Sequence, residues 1–143
     1  MSPEKLYLKL DEKNGLYLSC DATDSQSTFP LIYSNNKYEW KVHISDNNGN
    51  FVGTVHTTDG PGQFLQPNIT ASDQDEYEAV IRKKNTYVLH YVLKNPPSLD
   101  SASIYIHNNG SDYILSVDKV SGSVIFKLFN RNEPTTYWTL EKP

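Results

Sequence analysis

A chain of 143 residues, 37 % apolar and 21 % charged, is long enough to bury one real core but would leave two separate cores marginal. Its net charge of −4, with no basic block or stripe, argues against a nucleic-acid partner, which calls for clustered Lys and Arg. No apolar run approaches the roughly 18 residues of a spanning helix, so membrane insertion is not expected.

The first residues, Met1 to Lys5, carry no apolar leader core and run straight into an alternating pattern. The single Cys20 has no second cysteine to pair with, and oxidising compartments favour paired cysteines. Both features point to a cytoplasmic protein.

In chain order, Leu6 to Leu10 reads as an apolar, tyrosine-bearing strand, and Lys13-Asn14-Gly15 as a turn into Leu16 to Cys20. After a polar loop from Asp21 to Ser27 come a strand at Phe29 to Tyr33 and another from Trp40 to Ile44. Asp46-Asn47-Asn48-Gly49-Asn50 is the strongest turn cluster in the chain. Strands follow at Phe51 to Thr57, Phe64 to Ile69 (with Pro67 as an interruption), Tyr77 to Arg82 and around Leu89. Asn95-Pro96-Pro97-Ser98 breaks the chain again. Ala102 to His107, Asp112 to Val117, Ser123 to Phe129 and the stretch of Trp138 complete about twelve short strands. No run shows helical periodicity for more than a turn or two. The pattern predicts an all-β protein.

The strands also fall into register at a fixed step of 49: Trp40, Leu89 and Trp138 align, as do Leu6, Val55 and Ile104. Leu16, Leu65 and Ile114 keep the same step, and so do Leu31, Val80 and Phe129. A step shared by four strand classes predicts three pseudo-repeats of four strands, at about 1–49, 50–98 and 99–143, within a single domain.

Three tandem four-strand units of this size resemble the β-trefoil. Without a leader and with one cysteine, the chain is similar to the lectin-like trefoils of fungi, including cytosolic lectins and the lectin-like light subunit of mushroom tyrosinase. The resemblance implies a non-catalytic carbohydrate-binding protein. It departs from the ricin type, because Tyr38-Glu39-Trp40 and Thr136-Tyr137-Trp138 stand where that type has Gln-X-Trp.

No catalytic constellation is apparent. His43, His56, His90 and His107 are scattered, with no His-X-X-X-His or Cys-X-X-Cys spacing, so neither a metal nor a cofactor is expected. Cys20 closes an apolar strand and reads as a small buried hydrophobe. Sugar recognition needs short carboxylates and amides for the hydroxyls and an aromatic face for the C–H side of the ring. The resemblance sets such a site, in each repeat, between the loop after the second strand and the hairpin of the third. In repeat one that implicates Asp21, Asp24, Tyr33, Asn35, Asn36 and Tyr38; in repeat three, Asp118, Asn130 and Arg131. Repeat two has Asp73 and Asp75, but Lys83 and Lys84 occupy its hairpin. The expected partner is a mono- or oligosaccharide. The alternatives are a protease inhibitor acting through the proline-stiffened loop at Asn95 to Ser98, and a lectin-like subunit carried by an enzyme.

Overall fold

The computed structural model describes residues 4–11, 15–20, 30–33, 37–58, 62–71, 74–118 and 120–143, with backbone alone at 31–33. The chain is all-β. Among the described residues twelve strands alternate with turns: β1 (Glu4–Leu10), β2 (Tyr17–Ser19), β3 (Leu31–Tyr33), β4 (Trp40–Asn47), β5 (Asn50–His56), β6 (Phe64–Pro67), β7 (Glu76–Arg82), β8 (Leu89–Leu93), β9 (Ser101–Asn108), β10 (Ser111–Val117), β11 (Val124–Leu128) and β12 (Trp138–Glu141).

Two tight turns are written plainly in the sequence. Asn48-Gly49 joins β4 to β5 and Asn109-Gly110 joins β9 to β10, with all four residues at positive φ (56°, 87°, 51° and 79°). Two consecutive left-handed residues match the right-handed twist of flanking strands, and Asn-Gly is the pair that adopts them at least cost. Asp46 Oδ1 accepts the Gly49 N–H at 2.8 Å and braces the first of these turns. Pro67 is the last residue of β6, where the strand can dispense with its missing N–H.

The expected β-trefoil of three equivalent four-strand repeats is corrected by the strand pairing. Nine strands, in the order β1–β4–β5–β6–β7–β11–β10–β9–β12, pair antiparallel all the way round and close on β1 as a barrel. β8 lies between β5 and β9 and bridges them, while β2 and β3 extend from β1. Three pairings of the ring run between the supposed repeats: β4 with β5, β7 with β11 and β12 with β1. Nor are the units equivalent. β7 pairs with β11, whereas β3 pairs only with β2 among the described residues. The step of 49 is thus a recurrence of burial, as Trp40, Leu89 and Trp138, each 0–1 % exposed, illustrate.

Alternation fills the barrel. Leu6, Leu8 and Leu10 of β1 point inward, as do Trp40, Val42 and Ile44 of β4, Leu89, Tyr91 and Leu93 of β8, and Ala102, Ile104 and Ile106 of β9. Each large apolar side chain contributes about 1.5–3 kcal/mol by leaving water. The two indoles also act as pins. Trp40 Nε1 donates to the Leu18 carbonyl at 3.0 Å and Trp138 Nε1 to the Leu115 carbonyl at 3.1 Å, both fully buried. A buried N–H without such a partner would cost about 1–3 kcal/mol.

β4 and β5 cross closely at Gly53, which faces Ile44 on one side and Leu89 on the other. A Cβ placed there would lie 1.7 Å from the His43 carbonyl oxygen, a backbone atom that cannot step aside. Gly53→Ala is therefore expected to cost about 3 kcal/mol or more, or to abolish folding, in a urea titration. An unchanged midpoint would show that the strands separate at no cost.

His56, at the end of β5, stacks on Phe64 with ring centroids 5.2 Å apart. Burial holds its pKa below the usual 6.5, helped by the charge of Lys41 and by His43, against a backbone contact at Thr57. Because the folded chain disfavours the proton, the neutral ring is fully tolerated above pH 6.5 and stability is lost as pH falls below that value. Urea midpoints compared at neutral and mildly acidic pH should fall on acidification, and fall less in His56→Phe. Equal falls in the two proteins would remove His56 as the cause.

Candidate functional site

A groove opens beside the β10–β11 hairpin. β10 and β11 pair from Tyr113↔Leu128 to Val117↔Val124, and the turn between them is closed by Asp118 N–H to the Ser123 carbonyl and Gly122 N–H to the Asp118 carbonyl. After β11 the chain leaves the sheet through a loop that runs from Phe129 to Tyr137 and then enters β12. Between hairpin and loop lies a groove of about 490 Å³, flanked by Asp118, Val120, Phe129, Asn130, Glu133 and Thr136.

The loop is held from within. Asn130 Oδ1 accepts the Asn132 N–H at 3.0 Å, and the Glu133 N–H reaches the Asn130 carbonyl at 3.0 Å. Lys127, on β11, grips Glu133 at 2.6 Å, and Ser116 on β10 meets Thr136 across 3.1 Å. Lys127 keeps the Glu133 carboxyl below the usual carboxylate range. Asp118 is also pushed down, first by the Val120 N–H that its Oδ1 accepts at 3.0 Å and then by groups of Ser121. Both carboxyls are thus anionic at neutral pH, one on each side of the groove.

Two apolar side chains complete the groove and are unusually bare. Phe129 is 44 % exposed and Val120 97 % exposed. Phe129 also borders an adjoining depression of about 520 Å³, together with Asp75 and Arg131. Its ring stands between two polar hollows.

The sequence candidates divide in three ways. Asp118 and Asn130 come together at the first groove, while Arg131 lines the adjoining depression. Tyr38 is a brace: its hydroxyl accepts the Thr58 N–H at 3.0 Å, and its ring meets Trp40 edge-on at 4.8 Å. Asp21, Asp24, Asn35 and Asn36 lie outside the described residues, as does the side chain of Tyr33, whose backbone pairs with Tyr17 in the β2–β3 ladder. In the middle third, Asp73 is outside the described residues; the Asp75 carbonyl accepts the Leu128 N–H at 2.8 Å.

The step of 49 puts Phe129 inside a strand, aligned with Leu31 and Val80. In the structure β11 stops at Leu128, and Phe129 turns outward. The signal was present: Leu128-Phe129 places two apolar residues in succession where alternation allows one inside. Lys127, Glu133 and Thr136 carried no motif and are linked only by the fold.

A separate cluster corrects the view that the histidines are scattered. The β8–β9 ladder pairs His90 with Tyr105, and the β9–β10 ladder pairs His107 with Asp112. His90 stacks on Tyr105 at 5.3 Å and meets His107 edge-on at 4.3 Å. Burial, then the neighbouring His107, holds the His90 pKa below its usual value.

Among the described residues no helix is long and apolar enough to cross a membrane. Neither a family model, a curated protein nor a solved structure matches the chain.

Tyr38 provides a check on the division between brace and binding group. Tyr38→Phe removes the acceptor of the buried-side Thr58 N–H and is expected to lower stability by about 1 kcal/mol, measured by urea unfolding. A variant as stable as the parent would return Tyr38 to the list of surface groups open to a ligand.

Proposed function

We propose that this chain is a non-catalytic carbohydrate-binding protein whose site is the groove between the β10–β11 hairpin and the loop from Phe129 to Thr136. The observation that carries the reading is the bare Phe129 ring, standing beside an open hollow with an anionic carboxylate on either side. A flat aromatic face takes the C–H side of a sugar ring, and short carboxylates accept its hydroxyls. The loop is tied down by Asn130 and by the Lys127–Glu133 pair, so little ordering cost falls on binding.

The alternative of a protease-inhibiting loop draws less support. Asn95 to Ser98 forms a four-residue turn closed by the Ser98 N–H to the Asn95 carbonyl at 2.8 Å. A turn folded back on itself differs from the extended strand that adds to a cleft through its backbone.

A glycan array probed with the full chain tests the proposal. Binding to at least one neutral saccharide is expected, weakened about tenfold or more in Phe129→Ala and in Asp118→Ala, each loss corresponding to about 1.4 kcal/mol. Both substitutions are at the surface, so circular dichroism should be unchanged. Failure to bind any saccharide, or full binding by both variants, overturns it.

A further inference from the structure

The wall of the barrel formed by β5, β8 and β9 carries a second hollow, of about 530 Å³, away from the groove at Phe129. Its floor holds His90, Tyr105 and His107, and its rim includes Asn47 and Asn50 from the β4–β5 turn. We propose that His90 and His107 form a two-imidazole chelate for a borderline divalent transition ion (Cu²⁺, Ni²⁺ or Zn²⁺), with Asp112 as the positioning residue.

Register brings these groups to one face. His90 is opposite Tyr105, and His107 lies two residues further along β9, so both imidazoles project from the same side of the sheet. Asp112 is opposite His107 across the next ladder, and its Oδ1 meets the ring's Nδ1 within hydrogen-bond distance. That contact leaves His107 Nε2 as the ring's outward donor. A carboxylate behind an imidazole is the arrangement that fixes a ligating histidine and strengthens its lone pair. Among the described residues His90 has ring contacts but no hydrogen bond to either nitrogen, so a donor atom is open there as well.

Imidazole nitrogen suits Cu²⁺, Ni²⁺ and Zn²⁺ and is a poor match for Mg²⁺ or Ca²⁺, which prefer oxygen. Among the described residues no three of His, Cys, Asp and Glu could hold one ion together. The protein therefore supplies two nitrogens and the open hollow admits water to the remaining positions. His107 is 55 % exposed as a side chain, so its outward nitrogen is open to an ion from solvent. The site is independent of the sugar-binding reading.

The test uses the full chain in a non-coordinating buffer, titrated with Cu²⁺ by calorimetry and followed by electron paramagnetic resonance. One ion per chain bound by two imidazole nitrogens is expected. His90→Ala and His107→Ala should each erase the two-nitrogen pattern and weaken binding at least about tenfold, whereas His43→Ala should leave both unchanged. Asp112→Asn should weaken binding about tenfold while keeping the two-nitrogen pattern, a split that a merely structural role would not produce. Circular dichroism of each variant establishes folding, and Zn²⁺ should raise the thermal midpoint of the parent but not of His90→Ala. Absence of saturable one-to-one binding overturns the proposal. So does parent-like binding by either histidine variant.

Discussion

The antiparallel pairing of β1 with β12, from Tyr7↔Glu141 to Leu10↔Trp138, turns a sheet into a barrel. A sheet with two open ends leaves rows of unpaired N–H and C=O groups, and closure is the one arrangement that removes them. It also seals the interior, since Trp138 enters the core only if β12 docks on β1. Around the seam the contacts are layered. The Tyr17 hydroxyl reaches Glu141 at 3.1 Å, and Lys37 lies over the rings of Tyr7 and Tyr17 and pairs with the same carboxylate at 3.5 Å. Tyr17 and Glu141 together raise the Lys37 pKa. The exposed ion pair adds little by itself. The ladder and the indole beneath it carry the closure.

The groove at Phe129 exists because the chain between β11 and β12 does not take the shortest path. Nine residues, 129–137, separate the two strands, and a loop of that length stands off the barrel unless it is tied to it. Lys127 reaching Glu133, and Ser116 reaching Thr136, are the ties. They set the width of the hollow and leave the Phe129 ring uncovered at its edge. The groove at Phe129 and the hollow on the β5–β8–β9 wall thus owe their polarity to different causes: the first to loop carboxylates, the second to histidines that strand register stacks on a wall.

Strand positions and turns were legible because they rest on local rules. Asn48-Gly49 and Asn109-Gly110 take their hairpin geometry whatever surrounds them, and alternation in Leu6-Tyr7-Leu8-Lys9-Leu10 marks its inner face directly. Connectivity was not legible. The same burial at Trp40, Leu89 and Trp138 suits three repeated units or one ring closed between them, and only the partners of β7 and β11 separate the two. Candidate residues followed the same division. Asp118 and Asn130, named from their place after strands, line one groove, whereas Tyr38 braces Thr58 and Trp40. The meeting of His90 with His107 was invisible, because 17 positions in sequence say nothing of two residues on neighbouring strands.

One seam contact has a consequence for how the molecule is made. On the ribosome β1 emerges well before its partner β12, so the edge of β1 that β12 covers stays bare while the strands between them are made. A bare edge strand with Leu6, Leu8 and Leu10 on one face is a template for pairing with another nascent chain. Lys5 and Lys9 alternate with those leucines, one exposed and one half-buried in the finished barrel. Charged residues spaced in this way along a waiting edge repel a second copy of themselves, and so hold the seam open for the strand that belongs there.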